Sequence, residues 1–162
     1  MDPFAPLPFV LSIDFDGVVH PVDAGDILLE DGEMKIVGSG LFVWLPLLER
    51  MLQPFPHVHL CIHSSWRNMH TEDELAAFLP PGLASRFAGA TMKGLSRHES
   101  ILCFASDHGV QRLAILDDMP GEFPPQCPEL IPCDPNLGLS QPALQRRLQT
   151  WLESLPPPRP LF

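Results

Sequence analysis

Four short runs of the chain are apolar at nearly every consecutive position, rather than at every second one. This pattern is typical of strands that are buried on both faces of a parallel sheet. A further segment, 26–38, has two short apolar stretches on either side of Asp31-Gly32, and this arrangement predicts a β-hairpin. The four runs predict strands within 8–13, 58–67, 112–121 and 129–133.

Segments with helical spacing of apolar residues lie between these runs. A helix is predicted from about Leu45. Thr71 and Ser96 each stand three residues before a glutamate, which is the capping-box pattern, and they predict the starts of two more helices. Ser140 is predicted to cap a last helix, whose Leu/Trp stripe at 144–155 predicts core packing.

Alternating strands and helices predict an α/β fold with a mainly parallel sheet. We expect a single domain over 1–155, followed by an extended proline-rich tail at 156–162. In such sheets, ligands bind beyond the carboxyl ends of the strands. Three of the predicted strands end in Asp-Phe-Asp, Ser-Ser and Asp-Asp, so these polar residues are predicted to meet at one edge of the sheet.

The charge of the chain narrows its possible partners. It has ten basic and twenty acidic residues, a net charge of −10, which disfavours a broad surface for duplex nucleic acid but not a single phosphate held locally. We expect no membrane partner, because no apolar run approaches the ~18 residues of a membrane span. The first residues do not resemble a secretory signal, so a cytoplasmic location is expected. The oligomeric state stays open.

The four cysteines do not form a CxxC pair, and no zinc framework is predicted. Cys61 and Cys103 stand in apolar runs and are predicted to be reduced core residues.

Carboxylates dominate the candidate chemistry. Asp14 and Asp16 follow the first strand, and Gly17 permits the chain to turn after them. Together with Asp117 and Asp118, they would crowd one crevice. Such a group either has raised pKa values or binds a hard cation, and an all-oxygen ligand set favours Mg²⁺ over zinc.

The motif Asp14-Phe15-Asp16-Gly17-Val18, then Ser64, a basic residue near 93–97 and Asp117-Asp118, resembles the four motifs of the haloacid dehalogenase (HAD) superfamily. More narrowly, DFDGVVHP, HSSWR, ILDD and DPNLGLS resemble the HAD phosphatase-like domain of Swiss-army-knife RNA-repair proteins, over roughly 9–152. The resemblance implies a Rossmann-like three-layer sandwich. It also implies that the 26–38 hairpin is a small flap over the site, without a large cap domain.

The resemblance also implies roles for individual residues. Asp14 would attack phosphorus and form an aspartyl-phosphate, and Asp16 would act as the general acid and base. Ser64, favoured over its neighbour in Ser-Ser, would bond a phosphoryl oxygen. Arg97 is the first choice for the basic residue, and Lys93 is its rival.

The implied metal is Mg²⁺, held by the Asp14 carboxylate, the Asp16 backbone carbonyl and Asp117, with Asp118 in support. The backbone amides that follow Asp14 would help to bind the phosphate. The residues predicted to contact substrate phosphate are Phe15, Gly17, Ser65 and Lys93.

Several other residues have more ordinary interpretations. His20 is predicted to be a loop histidine and Asp134 a turn former. For Trp66 and Arg67, structural packing beneath the site and a functional role are equally open.

The leading function is therefore a Mg²⁺-dependent phosphatase that acts on a phosphorylated small molecule, nucleotide or nucleic-acid end. The alternative is a non-catalytic HAD-like module that recognises a phosphorylated partner or regulates one. A phospho-acceptor receiver domain is excluded, because its phosphorylated aspartate lies mid-chain, where this chain has HSSWR.

Overall fold

The computed structural model describes residues 5–157. All four predicted strands and the predicted hairpin form, and one further strand, β5, was not predicted. The strands are β1 Phe9–Ile13, β2 Asp26–Glu30, β3 Glu33–Val37, β4 His59–Ile62, β5 Phe87–Ala90, β6 Arg112–Asp117 and β7 Leu130–Pro132. The α-helices are α1 Leu45–Leu52, α2 Glu72–Ala77, α3 Pro81–Ala84, α4 Arg97–Asp107 and α5 Pro142–Ser154.

Five strands form one parallel sheet in the order β5-β4-β1-β6-β7. β1 is central, and it pairs with β4 on one side and β6 on the other. The three strands that were predicted to end in polar residues are therefore neighbours, and their carboxyl ends share one edge. β5 was missed because its sequence, FAGA, is short and contains Gly89 at a φ of 139°.

Helices cover both faces of the sheet, which confirms the expected α/β sandwich. Side chains alternate across each strand, so Leu11 and Ile13 join the larger core with α1, α2 and α5. Val10, on the opposite face of β1, packs against Phe104 of α4. The Leu stripe of α5 lies in the larger core, as predicted.

The hairpin of β2 and β3 stands outside this sheet. Asp31 and Gly32 both have positive φ, 51° and 80°, as a two-residue turn of type I′ requires. Ile27 pairs with Ile36 across the two strands, and all five residues of β2 are exposed. Thus the sequence signal for the turn was correct, although the apolar residues around it are not buried.

Thr71 and Ser96 cap their helices as predicted, whereas Ser140 does not. Thr71 and Glu74 form the complete capping box of α2. At α4, the Glu99 N–H donates to Ser96 Oγ. Ser140 does not cap α5; it lies in a short 3₁₀ turn, and its hydroxyl donates to the Leu137 carbonyl. A proline at the start of α5 follows this turn and sets the helix start without a side-chain cap.

Two predictions concern the ends and the exterior of the chain. Residues 158–162 of the predicted tail lie outside the described residues. Within 5–157, no helix has both the length and the apolar character needed to cross a membrane.

All four cysteines are free, with Cys61 buried and Cys103 partly exposed.

Candidate active site

The site lies where β4, β1 and β6 end side by side. Asp14 directly follows β1, and its N–H donates to the Leu116 carbonyl of β6 at 3.1 Å. His63 directly follows β4, and its N–H donates to the Ile13 carbonyl at 3.1 Å. These bonds extend the sheet ladder by one residue on each side of β1, and they fix the positions of the polar residues at its edge.

Three carboxylates meet at this edge. Asp14, Asp117 and Asp118 each offer an oxygen, and these oxygens lie within 4.8 Å of one another. Burial raises the pKa of Asp14 to about 8; the charge of Asp117 adds to the rise, and the charge of Arg97 opposes it. Burial thus disfavours the ionised form of Asp14, and a raised pKa was one of the two outcomes expected for carboxylates crowded into one crevice.

Arg97 is the cation that reaches this cluster. It is the first residue of α4, and its Nη1 donates to Asp14 Oδ2 at 3.0 Å and to the two Asp117 oxygens at 3.0 and 2.9 Å. Burial alone would lower the pKa of Arg97, but the charges of Asp14 and Asp117 outweigh burial and raise it. Lys93 is exposed and instead lines a separate cavity with Arg67 and Thr91. The structure thus brings Arg97, rather than its rival, to the two aspartates.

A buried histidine supports Asp117 from below. His63 Nε2 lies 2.8 Å from Asp117 Oδ2, and its Nδ1 lies 2.7 Å from Ser12 Oγ. Burial lowers the pKa of His63, so the neutral ring donates from Nε2 to Asp117 and accepts the Ser12 hydroxyl at Nδ1. Burial would raise the pKa of Asp117, but the hydrogen bonds from His63 and Arg97 hold it below its ordinary value.

Asp16 is turned away from the carboxylate cluster. Its Oδ1 accepts a bond from His20 Nε2 at 2.8 Å, and its Oδ2 accepts one from Trp66 Nε1 at 3.1 Å. The Phe42 N–H donates to His20 Nδ1 at 3.1 Å, so the buried ring carries its proton on Nε2. Two donors therefore fix the orientation of the Asp16 carboxylate, which remains 38% exposed.

The Ser-Ser pair divides between a buried and an exposed residue. Ser64 is buried, and its Oγ accepts a bond from the Trp66 N–H at 3.2 Å, which caps the 3₁₀ turn Ser65–Asn68. Ser65 is exposed. Arg67 Nη1 donates to the carbonyls of His63 and Ser64 at 2.6 and 2.9 Å, so it holds this turn against the end of β4. A phosphate contact from either serine stays a prediction.

Phe15 and Gly17 shape the turn that follows Asp14. The Phe15 side chain is fully buried and packs edge-to-face against Phe42 and Trp66, while its N–H donates to Asp14 Oδ1 at 2.7 Å. The Gly17 N–H donates to the His20 carbonyl at 2.9 Å. Both amides thus have acceptors within the protein, and their predicted contacts to phosphate stay predictions.

Gly17 is also required by space. Its φ is 78°, and a Cβ at this position would overlap the Asp118 carboxylate. A side chain here would therefore both strain the backbone and displace one of the three clustered carboxylates.

The donor set at the edge suits a hard divalent cation. All of the clustered ligand atoms are carboxylate oxygens, and a cation of this kind prefers oxygen ligands. Burial disfavours the ionised form of Asp14 despite its contact with Arg97, and a bound divalent cation would favour that form. Asp14, Asp117 and Asp118 fit the metal site that the sequence predicted, whereas the Asp16 side chain is outside it and only its predicted backbone contact remains open.

The comparison with known families agrees with this geometry. The family model described as "HAD domain in Swiss Army Knife RNA repair proteins" matches residues 10–144. The chain belongs to this family. Among curated proteins, no relative matches the sequence. Membership confirms the resemblance seen in the motifs and makes the chain a HAD-type, phosphohydrolase-like domain, in which a buried acidic cluster is available for a metal.

Sequence reasoning missed some residues of this HAD domain. His63 had no role of its own within the HSSWR motif, and His20 was expected to be an ordinary loop residue, yet both contact aspartates of the motifs. A signal for His63 existed, because Ser12 and His63 interrupt neighbouring apolar runs with polar side chains. Asp134 was correctly predicted to form a turn, in which its Oδ1 accepts the Asn136 N–H at 2.7 Å.

Proposed function

We propose that this HAD domain is a Mg²⁺-dependent phosphatase that forms an aspartyl-phosphate on Asp14. One observation carries the proposal: a single Arg97 nitrogen contacts both Asp14 and Asp117 inside a buried carboxylate cluster. A buried group of this charge has little value for stability, because its desolvation opposes folding. It has value for a reaction in which negative phosphoryl oxygens arrive at the same place.

The chain's own residues supply the groups for each step. An Asp14 carboxylate oxygen attacks phosphorus, the bond from phosphorus to the ester oxygen breaks, and Asp16 gives its proton to the departing oxygen. In the second half, Asp16 takes a proton from water as the water oxygen attacks the phosphorus of the aspartyl-phosphate. The bond from phosphorus to the Asp14 oxygen breaks and inorganic phosphate leaves, so Asp14 is again a carboxylate and Asp16 again carries a proton.

The fixed hydrogen bonds fit this division of roles. Arg97 and Asp117 are positioned next to Asp14, where charge develops on the phosphoryl group. His20 and Trp66 hold Asp16 apart from that cluster, at the side where a leaving group can reach it. Ser64 and the amides of Phe15 and Gly17 are the proposed contacts to phosphoryl oxygens.

Mg²⁺ is the proposed cofactor. The Asp14 and Asp117 carboxylates and the Asp16 backbone carbonyl would hold it, with Asp118 in support. When bound, it supplies positive charge that favours the ionised form of Asp14 and balances the phosphoryl oxygens.

The proposed substrate is a phosphate monoester, either a small molecule or nucleotide or the phosphorylated end of a nucleic acid. The family description, which mentions RNA repair proteins, supports a nucleic-acid end or a nucleotide. The net charge of −10 argues against a long contact with duplex nucleic acid. Four free cysteines suit a reducing compartment, and we propose the cytoplasm.

Asp14→Asn tests the nucleophile. We expect phosphate release from 4-nitrophenyl phosphate, with Mg²⁺, to fall by roughly 10³-fold or more, because the amide cannot form the covalent intermediate. Asp23→Asn, the same change at an exposed loop residue, is the matched control and should keep the wild-type rate. Wild-type activity in Asp14→Asn would refute the assignment.

A wild-type protein that binds phosphate esters without hydrolysing them would instead support the alternative, a non-catalytic module that recognises a phosphorylated partner. A panel of nucleoside monophosphates and of 5′- and 3′-phosphorylated oligonucleotides then ranks the substrate classes.

A further inference from the structure

A groove lies between the β2–β3 hairpin and the segment 65–78. It consists of two adjoining cavities that share Ile36 and Met69. The smaller has a volume of about 220 Å³ and is also lined by Asp16, Ile27 and Trp66. The larger, of about 740 Å³, continues along the hairpin toward Phe78. We call the two together the hairpin groove.

Asp16 connects the hairpin groove to the proposed chemistry. It lies in the wall of the smaller cavity, and so does Trp66, whose Nε1 donates to Asp16 Oδ2. In the proposed function, Asp16 protonates the oxygen of the departing group, so that group has to lie beside this carboxylate. The smaller cavity is the space that lies there.

The walls of the smaller cavity are mostly apolar. The hairpin and its approach contribute Val22, Ile27 and Ile36, and the turn after β4 contributes Met69. Three of these side chains are strongly exposed to solvent: Val22 at 46%, Ile27 at 68% and Met69 at 40%. A ligand with an apolar part would remove this surface from water, which is favourable in proportion to the area covered.

The charges along the groove disfavour a polyanion. Among the described residues that line it, Lys35 is the one permanent cation, and its Nζ already lies 3.5 Å from the Glu30 carboxylate. His70 lies 3.2 Å from the Glu74 carboxylate. Asp16, Glu33 and Glu74 add negative charge to the same walls. A strand of phosphodiesters needs cations along its path, and this groove does not offer them.

We propose that the smaller cavity of the hairpin groove binds the leaving group of the substrate and selects an uncharged group with an apolar part about the size of one ring. This inference rests on the proposed function, because it uses Asp16 as the acid. The size limit applies to the smaller cavity, beside Asp16: its volume of about 220 Å³ is below the roughly 300 Å³ at which pockets for drug-sized ligands begin, so it admits one ring.

The first test compares two alkyl esters, 2-phenylethyl phosphate and ethyl phosphate, with the full chain and Mg²⁺. Both release a primary alcohol, so they differ chiefly in the apolar ring. We expect kcat/KM to be about tenfold higher for the phenylethyl ester. The two corresponding phosphonates, which are not hydrolysed, should show the same preference in Kd by calorimetry.

Ile27→Ser tests the wall, and Leu28→Ser is its matched control. Leu28 is the next residue of β2; it is also exposed, but it lines neither cavity. We expect Ile27→Ser to lower the preference for the phenylethyl ester by about fivefold and Leu28→Ser to leave it unchanged. The preference is a ratio measured on one preparation, so it does not depend on the fraction of folded protein.

The outcomes separate the two proposals. Equal Kd values for the two phosphonates would overturn the groove assignment, as would equal effects of Ile27→Ser and Leu28→Ser. A 5′-phosphorylated trinucleotide that is hydrolysed faster than the nucleoside 5′-monophosphate would overturn it too, and would favour a nucleic-acid strand. Tighter binding of the phenylethyl phosphonate without phosphate release from either ester would uphold the groove and contradict the proposed phosphatase.

Discussion

The carboxylate cluster and the hairpin reverse the usual distribution of side chains in opposite ways. Asp14 and Asp117 are ionisable groups buried at the centre of the sheet edge. Ile27 and Leu29 are large apolar groups exposed at 68% and 71% on a two-stranded hairpin. Folding alone favours neither arrangement, since buried charges lose hydration and exposed apolar groups gain no burial.

The two regions differ in how firmly the structure holds them. Each buried aspartate has several partners, including Arg97 and, for Asp117, His63. The hairpin is held by its own ladder, by Ile36, which is partly buried against the larger core, and by its neck, where a Cβ on Gly38 would overlap the Ala24 carbonyl. A reacting centre requires fixed positions, whereas a surface that receives varied leaving groups requires only the correct chemical character.

Loss of the cation should have the largest effect. Arg97→Ala removes three contacts to carboxylate oxygens, and we expect kcat/KM for phosphate release to fall by about 10²–10³-fold. Lys93→Ala should change it by less than about twofold, because Lys93 lies exposed at a separate cavity. The opposite order, with the large loss in Lys93→Ala, would show that the basic motif residue is Lys93.

Removal of His63, which lies beneath the cluster, tests how much this histidine contributes to the free energy of unfolding. His63→Ala leaves Asp117 Oδ2 and the Ser12 hydroxyl without this partner and opens a cavity, so we expect the free energy of unfolding to fall by about 2–4 kcal/mol. Ser12→Ala removes only the hydroxyl donor and should lower it by about 1 kcal/mol. Urea denaturation measures both, and a change below about 0.5 kcal/mol in His63→Ala would contradict the structural role.

The pH dependence of stability tests the raised pKa of Asp14 directly. In the metal-free protein, burial raises the pKa of Asp14 from 3.8 to about 8. Between these values the native state binds more protons than the unfolded state, so the free energy of unfolding contributed by this group falls as pH rises from 3.8 toward about 8.

Asp14→Asn removes that dependence. Without divalent cations, we expect its Tm relative to wild type to increase by about 3 °C or more between pH 5 and pH 8. Added Mg²⁺ should raise the Tm of the wild type more than that of the variant, because it binds the native carboxylates. Parallel Tm curves for the two proteins across this pH range would show that the pKa of Asp14 is not raised.

The smallest effect is expected in the hairpin. Ile27→Ser and Leu28→Ser should each change the free energy of unfolding by less than about 0.5 kcal/mol, because neither side chain is buried. A loss of 2 kcal/mol or more in either variant, by urea denaturation, would mean that the hairpin packs against the domain in solution, and the contrast between the two regions would disappear.

Local patterns predicted the elements that local forces determine. The consecutive apolar residues of β1, the Thr71 capping box and the Asp31-Gly32 turn each act over a few neighbouring residues, and the structure contains all three. The order of polar residues after the strands correctly predicted that Asp14, Asp117 and Asp118 would meet, but it wrongly included the Asp16 side chain. Ser140 shows the limit, because a preceding 3₁₀ turn and Pro142 determined where α5 begins.

The sequence by itself determined the α/β sheet, the family motifs and the acidic edge. Only the tertiary structure decided that Arg97 contacts Asp14, a pair 83 residues apart, and that Asp16 turns to His20 and Trp66. The reason is geometric: the start of α4 and the turn after β4 are placed by packing against the sheet, and a hydrogen bond requires its two atoms to lie within about 3 Å. Side-chain partners at that distance follow from the packed fold, not from spacing along the chain.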